Sequence, residues 1–566
     1  MINKRIKQLI KKFNKYDIDG YIIPKNDEFF SEYSANDRLK LISNFSGSAG
    51  YAIILKDKNY LFVDGRYTIQ AQIESGTNFE IVGLEKILNC KLFQNLTIGL
   101  DPKLFTSTET KKIFSKYNKI KIIDTNLVDK IIKKKTANSK PFYSLKDEVV
   151  GENYKNKINR LFAVLKKNGC KYIFISAPEN VAWLLNIRGN DSPNSPIPNC
   201  QVLLDYKKNI YCLSEKVKFK KILKEKKIKN LKIINKDNFE KFIQKFKNKK
   251  ISIDNRSCSL YYEKILASNF KILKKEDPIY LLKSIKNKIE IKNMIQAHII
   301  DGAALTKFLY WIKKVNKKRI TEFQAQNKLE NFRKLNKRYL FPSFNTIAGS
   351  GENGAIVHYR ATKEKTKFIK KNDILLCDSG GQYKYGTTDV TRTICFSKPK
   401  KNIKEIYTKV LKGHIAVTNS NLNKYYNGKL IDKRARKYLK KSNLDYAHGT
   451  GHGVGYFLNV HEGPQAISNY NKLSLKKGMI LSNEPGYYLK NQYGIRIENL
   501  IYVKRINKDL VFQNLTFAPI DIDLINFDLL NKKERKYLFE YHLKVYSKLS
   551  KYLNKKEKKW LINLIK

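Results

Sequence analysis

Three of the chain's seven histidines, His448, His452 and His461, stand in the single stretch DYAHGTGHGVGYFLNVHEGP (445–464). The spacing of His448 and His452 would suit one face of a helix. Gly449, Gly451 and Gly453 interleave with the pair, however, and glycine that dense disfavours a helix. The segment is therefore not the HExxH zinc helix; it must present imidazole from a sharply turning loop. Acidic residues supply the counterpart. Asp378 ends the apolar run DILLCDSG (373–380), and SGGQYKYGTT separates it from Asp389 at the start of TDVTRTICF (388–396). A hairpin of that length can bring two carboxylates side by side, where they repel each other unless a cation compensates. Either aspartate alone reads more readily as a turn cap. Glu484 in SNEPGYY (482–488) and Glu498 in RIENL interrupt strand-like apolar runs, and an acid there is costly to bury without a partner. Asp378, Asp389, His452, Glu484 and Glu498 together make a set fit for two divalent metals. Hard oxygens with a single nitrogen suit Mn²⁺ better than a structural zinc. Metals paired at about 3.5–4 Å activate water and polarise a carbonyl.

Such residues need a scaffold. The runs at 373–380, 388–396, 479–489 and 494–503 are strand-like, and helical patterns occupy 288–315, 321–336 and 403–420. Strands joined by short glycine turns and mixed with helices predict a curved antiparallel sheet covered by helices. Upstream, two segments resemble each other. One runs from a helix through DGYIIPKNDEF (19–29) to LISNFSGSAGYAIIL (41–55). The other runs from a helix (152–168) through CKYIFISAPENVAWLLNIRG (170–189) to NCQVLLD (199–205). Two tandem α/β domains of one type are expected, with KKKTANSKPFYSLKDEVVGE (133–152) as a linker. The second should close near 276–287. Helical periodicity returns from about 527, with heavy lysine content, as expected of a packing or dimer helix pair.

The composition sets outer bounds. A chain of 566 residues exceeds one hydrophobic core, and about two to four domains are expected. No run approaches the roughly 18 apolar residues of a spanning helix, so no membrane partner is expected. The basic N-terminus lacks an apolar h-region and a small-residue cleavage site. Ile6, Leu9, Ile10 and Phe13 instead fall at helical spacing, and a cytoplasmic location is the expectation. Seven scattered cysteines without a CxxC suit buried free thiols in a reducing compartment. The net charge of +61 could mean nucleic acid. Lysine is spread along the whole chain with abundant Ile, Asn and Tyr, so the charge reads as compositional bias. Runs such as Lys133–Lys135 and KKILKEKKIKNLK (220–232) are expected to be solvated faces, with no specific nucleic-acid partner.

The ordered ligand set resembles that of the pita-bread metallopeptidases, whose members include methionine aminopeptidase, prolidase, creatinase and aminopeptidase P. GGQYKYGTTDVTRT (380–393), HGTGHGVG (448–455), HEGP (461–464), SNEPGYY (482–488) and GIRIEN (494–499) resemble the three-domain aminopeptidases P. FPSFNTIAGSGENGAIVHY (341–359), AWLLNIRG (182–189), NFSGSAG (44–50) and the LTFAPIDIDLI tail extend the likeness along nearly the whole chain. The resemblance implies an α/β (α+β) chain: a first creatinase-N-type domain (1–140), a second (141–285), a pita-bread catalytic domain (286–510) and a C-terminal extension (511–566).

It also implies roles. Asp378 and Asp389 would hold one metal, with Asp389 bridging; His452 and Glu484 would hold the second, and Glu498 would bridge both. Glu484 is the candidate general base. His461 would stabilise the oxyanion, His358 would contact the peptide beyond the scissile bond, and His448 would line the pocket for a proline ring. Arg496 could pair with a ligand carboxylate or position substrate, and Tyr488 would stand near the substrate. Trp183 and Arg38 fall in the front domains. His298, His414 and His542 lie outside these motifs and are expected to be structural. The implied activity is a metalloaminopeptidase acting on short peptides that begin Xaa-Pro, with two divalent ions and a homodimeric state. A prolidase-like dipeptidase is the alternative, ahead of a metal-free binding module and a basic nucleic-acid binder.

Overall fold

The computed structural model describes residues 2–34, 36–88, 91–114, 117–132, 140–246, 248–315 and 319–565. Cys90 and residues 133–139 of the expected linker, Lys133–Lys135 among them, lie outside them. The chain forms two compact units, Met1–Tyr280 and Leu281–Lys566.

The first unit carries the expected repeat. Strands Glu80–Gly83, Asn59–Val63, Tyr51–Leu55, Gly20–Pro24, Thr97–Leu100 and Lys119–Ile122 lie side by side in that order. The second sheet orders Leu231–Ile234, Ile210–Leu213, Gln201–Asp205, Tyr172–Ile175, Lys249–Ile253 and Phe270–Lys274 in the same way. Both have antiparallel pairs at the middle three strands and parallel pairs outside them. The near-continuous apolar runs YIIP and YIFI are buried throughout their strands, as sheets covered on both faces require. Ile6, Leu9 and Phe13 are buried as the N-terminal spacing demands. The linker expectation fails for its described part. Phe142, Leu145 and Val150 are buried, and Tyr143–Ser144 pairs with Ile187–Arg188. A few apolar residues among many polar ones were enough to fold it.

The second unit is helical outside and antiparallel inside. The helix Lys288–Lys314 starts at an Asn287–Glu290 capping box, and Glu322–Lys334 starts at one formed by Thr321 and Gln324; each box satisfies two otherwise orphaned donors. Ile374–Ser379 pairs with Ile347–Ser350 on one side and Val390–Cys395 on the other. A five-stranded ladder orders Glu462–Ile467, Gly451–Gly453, Ile480–Asn483, Asn499–Ile506 and Asp509–Asn514. The expected strands 479–489 and 494–503 are each interrupted, at Glu484–Pro485 and at Ile497–Glu498. The Glu484 amide donates to Thr450 O (2.8 Å) and the Glu498 amide to Thr391 O (3.1 Å). The chain thus leaves one ladder for another where the acids sit. Between the two breaks, Gly486–Leu489 and Tyr493–Arg496 pair as a separate ribbon.

The C-terminal helices Lys532–Leu549 and Lys555–Ile562 bury Leu538, Val545, Leu549 and Leu561 in one cluster with Val410, Leu411, Ile495 and Ile497. Arg392 ties this extension to the sheet. Its buried guanidinium donates to Thr391 O, Glu498 O and Asn499 Oδ1, and also to Ala518 O, Pro519 O and the Tyr541 hydroxyl. Among the described residues, no helix is long and apolar enough to cross a membrane. Cys170, Cys200, Cys212, Cys258, Cys377 and Cys395 are buried free thiols.

Candidate metal centre

Asp378 lies near the end of Ile374–Ser379, opposite Thr391 in the ladder, and Asp389 immediately precedes Val390–Cys395. The loop between them folds back as its own hairpin, Gly381–Tyr383 with Gly386–Thr387, which returns the chain to the first strand. His452 is the middle residue of Gly451–Gly453. A Cβ at Gly451 would stand 1.9 Å from Ser482 O, so this strand approaches its neighbour as only glycine allows. Glu484 and Glu498 enter from the two strand breaks.

These elements converge. His452 Nε2 lies 3.4 Å from Asp389 Oδ2 and 3.6 Å from Glu484 Oε1. Ligand atoms of Asp389, His452 and Glu498 all fall within 4.8 Å of one another. Three of the four carboxylates are held through one oxygen. Arg496 Nη2 donates to Asp378 Oδ2 (2.7 Å), Thr391 Oγ1 to Glu498 Oε2 (2.7 Å), and Ser482 Oγ to Glu484 Oε1 (3.0 Å). The other oxygens of Asp378 and Glu498, and Asp389 Oδ1, are buried with no hydrogen-bond partner among the described residues. Buried carboxylate oxygens are rarely left so. This arrangement fits cations: one lone-pair set is anchored to protein and another is left open.

The electrostatics agree. Burial raises the Asp378 carboxyl to about 7, against the pull of Arg496 and with the push of Asp389 and Glu484. Burial also raises Glu484, opposed by His452 and Arg496. Glu498 goes well above the carboxylate range through burial and the Asp389 and Glu484 charges. Burial would lower His452, but the Asp389 hydrogen bond and Glu484 outweigh it and hold the imidazole at about 9. Such a group of acids needs positive charge, and divalent ions supply it.

The remaining candidates divide. The His461 ring packs edge-on against His452, with centroids 4.3 Å apart. His448 Nδ1 meets Gly449 O at 2.7 Å and its Nε2 meets the Tyr488 hydroxyl at 2.8 Å. Arg496 Nη1 donates to that same hydroxyl (2.6 Å), so Arg496 joins the Tyr488–His448 pair to Asp378. The sequence left Arg496 between two roles, and the structure pairs it with a ligand-type carboxylate. His358 is half-buried in a loop whose Ile356 and Tyr359 pack with Leu376 and Tyr488. His298, His414 and His542 are buried, with ring nitrogens on the backbone of Met294, Asn483 and Ile520. Arg38 is buried on Asp129 and Glu28, and Trp183 lies under Lys157, both in the first unit. A second acidic group, Cys395 with Asp521 and Asp523, already has a cation in Lys313, at 2.7 Å from each aspartate.

Sequence reasoning missed Thr391 and Ser482. Each stands two residues from an acid, Asp389 and Glu484, and period-two spacing was the available signal.

The family profile of metallopeptidase family M24 matches residues 292–505, and the C-terminal region of peptidase M24 matches 508–566. Creatinase/prolidase N-terminal domains match 5–131 and 133–290. With its open carboxylates around one imidazole, the chain belongs to metallopeptidase family M24. Its end-to-end relatives narrow the group to the three-domain aminopeptidases P. Xaa-Pro aminopeptidase 1 of Dictyostelium discoideum is 36% identical, covering 100% of this chain and 96% of its own. A probable Xaa-Pro aminopeptidase P of Laccaria bicolor is 36% identical over 97% of this chain and 90% of its own. Among solved structures, X-prolyl aminopeptidase of Caenorhabditis elegans, described as a cytosolic enzyme with a di-nuclear active site, superposes with TM-score 0.93. It shares 28% identity and covers 100% of this chain and 99% of its own. Prolidase of Pyrococcus furiosus matches with TM-score 0.51 and 26% identity, covering 62% of this chain and 98% of its own. The expected fold class is borne out: two creatinase-N-type α/β sheets precede a pita-bread domain.

Proposed function

We propose that this chain is a Xaa-Pro aminopeptidase, releasing the first residue from peptides with proline in second place. The observation that carries the reading is the end-to-end likeness to Xaa-Pro aminopeptidases, front sheets and C-terminal extension included, whereas the prolidase covers 62% of the chain. We assign the division as 1–140, 141–285, 286–510 and 511–566. The ranges of the four family matches support it.

Asp378, Asp389, His452, Glu484 and Glu498 would hold two divalent ions. The oxygen-rich set favours Mn²⁺. When bound, the ions supply Lewis-acid polarisation of the scissile carbonyl and make water acidic enough to attack near neutral pH.

The chain's own groups do the rest. Glu484, raised by burial, accepts the proton of the attacking water and returns it to the leaving nitrogen. His461, edge-on to His452, donates to the oxyanion. His358 binds the peptide beyond the scissile bond, and His448 lines the proline pocket with its ring face, both of its nitrogens being engaged. Tyr488 and Arg496 hold that ring and Asp378 in place. The acidic cluster favours the substrate's free α-ammonium. A homodimer working in the cytosol completes the proposal.

The test is digestion of Arg-Pro-Pro and Arg-Ala-Pro peptides after chelation, with and without added Mn²⁺. Release of arginine from the first alone, abolished by chelation and restored by metal, is expected. Equal cleavage of both, or cleavage of dipeptides only, would reject the assignment.

A further inference from the structure

The loop that carries His358 hangs on a residue outside every motif above. Glu322 is the first residue of the helix Glu322–Lys334 and is fully buried. No ion pair neutralises it among the described residues; it is satisfied by neutral donors, all from one stretch of chain. Oε1 accepts from the Ser350 amide (2.8 Å) and Asn353 Nδ2 (2.9 Å). Oε2 accepts from the Tyr359 hydroxyl (2.7 Å), the Lys367 amide (3.1 Å) and again Asn353 Nδ2 (3.1 Å). A carboxylate buried without a cation survives only where such donors saturate it.

These donors sit at both ends and in the middle of the stretch 350–367. The same loop also meets the ribbon that carries Arg496. A Cβ on Gly494 would stand 1.8 Å from Gly354 O, so the loop backbone rests on the strand that bears Arg496. Ile356, Tyr359 and Tyr488 share one apolar cluster. His358 stands between Ile356 and Tyr359 in sequence, and its neighbour Tyr359 is held by Glu322.

We propose that Glu322 is a positioning residue: its buried carboxylate fixes the height and tilt of the loop that delivers His358 to the substrate. The inference rests on the Xaa-Pro peptidase reading of His358. It assigns the helix start a duty in catalysis beyond capping.

A double-mutant cycle tests it. Wild type, Glu322→Ala, His358→Ala and the double variant are assayed on an Xaa-Pro-Pro tripeptide, with metal content and Tm recorded. Glu322→Ala should lower kcat/KM at least about tenfold, mostly through KM, at unchanged metal content. The double variant should be no slower than His358→Ala, because the two residues act as one unit. Should Glu322→Ala fail to fold, Tyr359→Phe, which deletes one donor, enters the same cycle with the same expected non-additivity. Losses that multiply, a Glu322→Ala enzyme within twofold of wild type, or a silent His358→Ala would each overturn the proposal. A wild type that cleaves no Xaa-Pro peptide strikes the functional reading instead.

Discussion

At the scale of single residues, the centre is built from buried acids, of which Asp378 and Glu498 give one oxygen to the protein and keep the other open. The acids and His452 were legible because each breaks a local rule: a carboxylate in an apolar run, an imidazole in a glycine loop. Thr391 and Ser482 were not, since a hydroxyl in a strand breaks none. Their value depends on which oxygen they hold, and that exists only once three segments meet. His461 is the sharpest test of the proposed roles. It touches the His452 ring, yet its proposed duty is in the transition state. His461→Ala should lower kcat and kcat/KM together, by about 10²–10³ as for the loss of an oxyanion donor, with metal content retained. A change confined to KM would show that it only binds substrate.

At the scale of elements, the instructive difference is the pair of strand breaks. The runs 479–489 and 494–503 look continuous because apolar patterning does not record which neighbour a strand pairs with. Pro485 was a visible hint, since proline has no amide to give a ladder. At Ile497–Glu498 nothing local announced the change; it is imposed by Thr391 taking the Glu498 amide. The C-terminal helices offer a pH test. His542 is buried and accepts from the Ile520 amide (3.0 Å). Burial, then Arg392, lowers its pKa from 6.5 to about 4. Between those values the unfolded chain binds the proton and the folded chain does not. The stabilisation is therefore complete above about pH 6.5 and lost as pH falls through about 4. His542→Gln, able to accept the same amide, should flatten the fall of stability between pH 6.5 and 4 by up to about 1.4 kcal/mol per pH unit. Denaturant titration at several pH values measures this, and an unchanged slope would mean that the histidine takes up its proton in the fold.

At the scale of the whole molecule, the repeat of two like sheets was legible because helix, strand, proline turn and glycine recur in order. The described end of the linker was not. Three buried side chains, Phe142, Leu145 and Val150, do the folding there, and so few apolar residues have no period. The net charge of +61 bears on partners at this scale. The lysines of 220–229 are exposed on their short helix and the turn after it, as solvated faces should be. Any binding to DNA or RNA should be independent of sequence and fall steeply between 50 and 200 mM salt. A mobility-shift titration reads this, and tight sequence-selective binding near 0.15 M salt would contradict it. The guanidinium of Arg392, finally, gives the far end of the chain a genetic meaning. Its acceptors at Ala518, Pro519 and Tyr541 lie downstream of every proposed ligand. A premature stop codon after residue 510 would leave all five ligand codons intact and still strand a buried cation beside Glu498. Such an allele should behave as a null, and a reading frame judged only by its motifs would wrongly be counted as functional.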